Sequence, residues 1–275
     1  MLFRSTVNTG VLDENKNLAS KGDLTEWEPI GTCDVPYTGT FDGKGYTISG
    51  LYFNNPSESN VGLFGYIEAN GKISNVGVLD SYFKFDMLGG GVCGTNNGGE
   101  LQNCSNSSTV IGNRIAGGVC GINQEGTIKS CYNTGSVHGH RTGDFVGGVC
   151  GINHNVINYC YYLSDTATGG IGNQKDEKDK AEIMFKKQFE SGEVAWLLNG
   201  KGLGEQVWGQ HLGIDPSPVP GSDYKVIKAA QGDNDTYWAT FSNLTNDANL
   251  SVPSDRKLYV YNAATTKWQR KRVCY

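Results

Sequence analysis

Between Val61 and Leu163 short apolar pieces alternate with Gly, Asn and Ser. In GGVCGINQEGTIKSCYNTG, which runs from Gly117 to Gly135, the apolar positions are Val119 and Cys120, then Ile128 and Cys131, with Val137 just beyond. Nothing between them is long enough for a helix. The pattern predicts strand, turn, strand, turn, strand. Nearly the same line is written three times, with GGVCG at Gly90, Gly117 and Gly147, preceded by the related VGLFG at Val61. The spacings are 29, 27 and 30 residues. Such a period marks stacked units, each too small to cover its own apolar side. Without crossover helices, the predicted architecture is mainly β: a parallel β-helix-like solenoid whose equivalent positions stack about 4.8 Å apart.

Stacking sorts the repeated residues into columns. One holds Phe64, Cys93, Cys120 and Cys150; a second holds Val76, Cys104, Cys131 and Cys160. The first rung carries a plain hydrophobe in both, so Cys acts as a small apolar filler. Buried free thiols fit better than a disulfide network, although an even count of eight cysteines would suit disulfides in an exported protein. Asn96, Asn123 and Asn153 form a third column, read as an amide ladder at a left-handed corner. FDGKGYTISGLYF fits as a degenerate earlier rung, with Ile48, Leu51 and Phe53 matching Ile73, Val76 and Val78, and Asp42–Gly45 as a tight turn. Leu2–Val7 is read as a short helix or irregular cap on the open end.

The period stops after Leu163. Asp176–Phe189 has a helical pattern, with Ala181, Phe185 and Phe189 on one face, acids Asp176, Glu177 and Asp179 early and Lys186 and Lys187 late. Ser191 reads as the N-cap of a second helix that carries Val194, Leu197 and Leu198 and ends at Gly200. Both helices are expected to cap the solenoid. Asp215–Pro218 and Pro220-Gly221 mark a linker, and short strands follow from Tyr224. The expected organisation is a solenoid over 1–174, a helical cap and linker over 175–220, and a small β domain over 221–275.

TEWEPIGT, YTGTFDGKGYTISGLYF, VGLFGYI and GGVCG, in that order, resemble the GLUG-motif repeat family over about Phe3 to Leu163. Such repeats occur in large bacterial surface proteins and beside the peptidase domain of some immunoglobulin A proteases. Cys in GGVCG departs from the family's more usual aliphatic residue. FESGEVAWLLNG and WGQHLGIDPSPVP also resemble what often follows these repeats. The resemblance implies an extracellular or cell-surface setting and a non-catalytic scaffold. It supplies no ligand and no catalytic residues.

Charge and composition narrow the function. A net charge of −5 argues against a nucleic-acid surface. The cluster Lys267, Arg270, Lys271 and Arg272 reads as a solvated strand end. Long apolar runs are absent, so no membrane insertion is expected, and MLFRSTVNTG shows no signal peptide. The chain is then either cytoplasmic or exported by a leader outside it. No CxxC, G-x-S-x-G, HExxH or P-loop pattern is present. No catalytic residues, metal site or cofactor are therefore expected, and a monomer is expected.

Candidate ligand-binding residues come from two places. Tyr132, Tyr161 and Tyr162 follow the second cysteine column, with Tyr82, Phe83 and Phe85 in what reads as an inter-rung loop. Exposed in a row, such rings would stack on sugar faces. The loop SVHGHRTGD adds His138, His140 and Arg141, with Asp144. The leading reading is adhesion, with glycans or host surface proteins as partners. The alternative is a pure spacer presenting another module, which would expose no aromatic patch. A third reading, a polysaccharide lyase or glycosidase, would need a carboxylate-lined cleft.

Overall fold

The computed structural model describes residues 5–19, 22–174, 178–201, 203–230, 236–242, 250–251, 259–262 and 267–270. The chain divides into two compact units, Met1–Ile183 and Met184–Tyr275. The first is the expected parallel β-solenoid.

Each coil turns through four faces. The first face stacks Phe64–Glu68, Cys93–Asn97, Cys120–Asn123 and Cys150–Asn153 in parallel. The second stacks Lys72–Leu79 on the paired short strands Glu100–Gln102 and Ser105–Asn106, and these on Thr127–Lys129 and Tyr132–Asn133. Val156–Asn158 and Cys160–Leu163 follow. The third stacks Tyr52–Asn55, Tyr82–Phe85, Thr109–Gly112 and Val137–Gly139. The fourth stacks Leu88–Gly90, Ile115–Gly117 and Phe145–Gly147. A middle coil thus contains five short strands where the apolar pattern predicts three. The polar runs misread as turns still pair with the coils beside them.

The predicted columns are in register. Phe64 pairs with Cys93, Cys93 with Cys120 and Cys120 with Cys150. In the second column Cys104 donates to Gln102 O, and its own backbone N–H reaches Cys131 Sγ at 3.4 Å. All seven described cysteines carry free thiols, and the six column cysteines are fully buried. Each column thiol also has a nearby carbonyl: Cys93, Cys120 and Cys150 donate to the residue two ahead, Cys131 and Cys160 to the residue two behind. The thiol thus fills the core as a small apolar side chain with a weak donor that finds a carbonyl. Ile73, Leu101, Ile128 and Ile157 form a further buried aliphatic column.

The first rung corrects the sequence alignment. Phe41, not Ile48, lies beside Ile73; Ile48 lies beside Val78, and Phe53 beside Phe83. Asp42–Gly45 is not a turn. It is a bulge inside the strand Thr40–Ser49, with Lys44 and Gly45 at positive φ and Asn75 Nδ2 donating to Asp42 Oδ1 at 2.9 Å. The extra residues shift the apparent period, which is why offset matching fails there. Ser5–Thr6, read as helix or cap, is a strand paired in parallel with Ile48–Ser49.

The Asn ladder exists, but not at a left-handed corner. Asn96, Asn123 and Asn153 sit on the first face in strand conformation. The left-handed column lies on the second face at Asn75, Asn103, Ser130 and Tyr159, with φ from 51° to 54°. It bends the coil between the two short strands there. The Gly pair of GGVCG marks another tight corner. A Cβ on Gly117 would overlap the Cys120 carbonyl, and one on Gly118 the Gly148 carbonyl.

The helix predicted over Asp176–Phe189 is broken up: Ala181–Met184 is strand, and only its end from Lys186 is helical. Ala181–Met184 pairs with Cys160–Leu163, while Asp179 and Lys180 carbonyls accept from Tyr159 and Cys160. Asp176 and Glu177 lie outside the described residues. Pairing with the open edge of the last coil outweighs helical propensity. Helix α1 spans only Lys186–Glu190, so Ala181, Phe185 and Phe189 do not share a face: Phe185 is exposed and Phe189 buried. Helix α2 spans Glu193–Leu198 and starts from Gly192 in the left-handed region, with Ser191 one residue earlier.

In the second unit the described strands form an antiparallel sheet. Tyr224–Ala230 pairs with Thr236–Ser242 along its whole length, and Tyr259–Asn262 pairs with Lys267–Arg270. Residues 175–220 are thus divided: Ala181–Ile183 belongs to the solenoid unit, and both helices belong with the C-terminal sheet. The expected linker contributes Val219–Pro220, paired with Trp208–Gly209. Asn199 fixes buried Trp208, donating to its carbonyl at 2.7 Å and accepting its N–H at 2.9 Å. Of the basic cluster, Lys271 and Arg272 lie outside the described residues.

Candidate functional site

The predicted aromatic platform is not at the surface. Tyr132, Tyr161 and Tyr162 are 5%, 4% and 3% exposed. Tyr132 and Tyr161 are in register, and Tyr162 belongs to the hydrophobic core, filling a position that Asn133 holds one coil earlier. Burial pushes the Tyr161 hydroxyl well above its usual pKa. Tyr82, Phe83 and Phe85 are also corrected: they form a strand of the third face and are buried. The residues read as loop pair with Tyr52–Asn55 and Thr109–Gly112; Phe83 and Phe85 face the core, and Tyr82 stacks on Tyr52.

The His138 loop is exposed, as its insertion between coils implies. His138 ends the third face on Val137–Gly139, and His140 and Arg141 follow in solvent. Asp144 accepts the backbone N–H groups of His140 and Arg141 at 2.8 and 2.6 Å. Its carboxylate therefore holds the loop's shape. His138, His140 and Arg141 are not brought together with the tyrosines, which are buried.

A second Asn ladder was not read from the sequence. Asn106 donates to Asn133 Oδ1 at 2.8 Å, and Asn133 donates to Gly135 O at 2.8 Å; both residues are fully buried. Its signal was the repeated C-x-N of Cys104–Asn106 and Cys131–Asn133, hidden by Tyr162 in the next coil.

The site that sequence reasoning missed is a groove of about 580 Å³ on the solenoid unit, between Glu26–Asp34 and Phe53–Val61. Trp27, Pro29 and Phe53 contribute apolar surface to it, and Glu26, Glu28, Asp34 and Glu58 are exposed carboxylates on its lining. No Lys, Arg or His is among the lining residues. The walls are tied to the coils. Trp27 donates its backbone N–H to Tyr52 O at 2.7 Å and its indole N–H to Gly62 O at 3.1 Å. Ile30 N–H reaches Leu63 O at 3.1 Å. Asn60 accepts the Thr95 hydroxyl at 2.7 Å and donates to the exposed Cys33 sulfur at 3.2 Å. TEWEPIGT entered the sequence reading only through its family resemblance, and its carboxylates carry no signal without the facing segment.

Among the described residues no group of three His, Cys, Asp or Glu side chains converges to hold a metal ion. None of their helices is long and apolar enough to cross a membrane.

No family model matches the chain. No solved structure matches it. Two curated proteins are similar over part of it. Halomucin of Haloquadratum walsbyi is 34% identical over 109 residues, 38% of this chain and 1% of that protein. A protein of Evansella cellulosilytica, whose name calls it a Gly-rich membrane protein, is 35% identical over 82 residues, 29% of this chain and 9% of that protein. The chain thus spans a small fraction of the length of both relatives.

Proposed function

We propose that the chain is a non-catalytic scaffold segment of a surface or secreted protein, of the GLUG-repeat type, that holds other modules in place. The observation that carries this reading is the burial of the repeat's tyrosines: Tyr162 packs in the core, Tyr132 and Tyr161 are covered, and the three leave no exposed aromatic row. A spacer needs a stiff repeating core and no sugar platform. The names of the two partial relatives, halomucin and a Gly-rich membrane protein, support a setting at the cell exterior.

A lyase or glycosidase is disfavoured on chemical grounds. The groove has carboxylates but no Lys, Arg or His to act as the lyase's basic partner. A glycosidase acid is set into an apolar pocket, whereas all four carboxylates here are exposed.

The test is an array of neutral and acidic glycans, including mucin-type sugars and plant polysaccharides, probed with the purified chain. The scaffold reading expects no saturable binding. Saturable binding of any glycan on the array would replace it with adhesion.

A further inference from the structure

The scaffold reading leaves the groove beside Trp27 without a role. Its shape is fixed by bonds from both walls to the coils, so it exists before any ligand arrives. Its volume, about 580 Å³, lies within the usual span of small-molecule sites. Glu26, Glu28, Asp34 and Glu58 take part in none of the ion pairs formed among the described residues. With no cation in the lining, the groove's field is negative around an aromatic floor.

The same carboxylates do not converge on a point where one metal ion could sit. Negative charge spread along a groove suits a cation that is itself spread out. Ammonium groups on an extended frame can each meet a carboxylate, and the frame can lie against Trp27 and Phe53. We propose that this groove binds a small ligand carrying two or more primary ammonium groups. The inference does not depend on the scaffold reading. Two sources share this chemistry, a linear polyamine and a de-N-acetylated amino-sugar oligomer.

Calorimetric titration of the whole chain with spermidine, with a glucosamine tetramer and with the N-acetylglucosamine tetramer tests it. Saturable binding of at least one amine is expected, and none of the acetylated sugar. Tighter binding of spermidine identifies the polyamine source; tighter binding of the glucosamine tetramer identifies the sugar. Glu28→Gln with Glu58→Gln should weaken binding by about tenfold or more, as should raising salt from about 0.05 M to about 0.5 M. These side chains are exposed, so the urea midpoint should not move, and Asp34→Asn gives an independent weakened variant. No saturable binding of either amine, equal binding of the acetylated sugar, or binding that the double Gln variant leaves intact would overturn the proposal.

Discussion

The side-chain amide of Asn96 donates to Asn123 Oδ1 at 3.0 Å, across one full coil of the solenoid. Asn123 repeats the bond to Asn153 at 2.8 Å, and Asn153 ends the chain of bonds on Asn155 O at 2.9 Å. Asn96 and Asn123 are fully buried and Asn153 nearly so, so each amide relies on its neighbours. Asn123→Ala removes the middle member and strips a partner from both others. A destabilisation of about 2–4 kcal/mol is expected, from Asn96 Nδ2 left unpaired and one bond lost at Asn153 Oδ1, which keeps the Asn155 N–H. Gln124→Ala, beside it but exposed, should change stability by less than about 0.5 kcal/mol. Urea unfolding of both variants checks this.

The glycine corner predicts a sharper effect. Gly117 faces the Cys120 carbonyl so closely that any Cβ overlaps backbone, which cannot move without breaking the register of three coils. Gly117→Ala should cost more than about 4 kcal/mol or abolish folding. Gly22→Ala, where a Cβ meets nothing within 4 Å, serves as the neutral partner. Thermal unfolding by circular dichroism separates the two.

Burial pushes the Cys120 and Cys150 thiols well above the usual pKa of a cysteine. Unfolded thiols begin to lose protons near about pH 8.5, while the folded ones keep theirs. The folded state then binds more protons, so stability falls as pH rises. The contribution is fully present below about pH 8 and is lost progressively above that, toward the raised folded values. Urea midpoints at several pH values between neutral and strongly alkaline should show this decline. Cys120→Ala with Cys150→Ala should lower stability at neutral pH but flatten the alkaline slope.

Much of the solenoid was legible because its signal is repetition. Identical residues at 27–30-residue spacing stack in register, and the cysteine and Asn columns follow from that alone. The signal weakens where residues differ between coils. The first rung hides behind the bulge at Asp42–Gly45, which offset counting cannot see. Tyr132 and Tyr161 were misplaced because a residue next to an inward one need not be exposed when neighbouring elements cover it. Ala181–Met184 was misread because the edge of the last coil, absent from any local window, decides its conformation. The groove escaped for a related reason: Glu28 and Glu58 are thirty residues apart and meet only through the fold.

The stacked-coil account, with cysteines as free core fillers, is tested most directly by counting thiols. Cys274 lies outside the described residues, so the measurement uses the Cys274→Ser chain, leaving seven of the eight cysteines. In native buffer without reductant only Cys33 is exposed, so one thiol should react quickly with a water-soluble thiol reagent. In denaturant, still without reductant, all seven should react. Fewer than seven in denaturant would reveal disulfides, and several fast thiols in the native protein would place the columns at the surface. The first result would contradict the free-thiol fillers, and the second the register on which the solenoid rests.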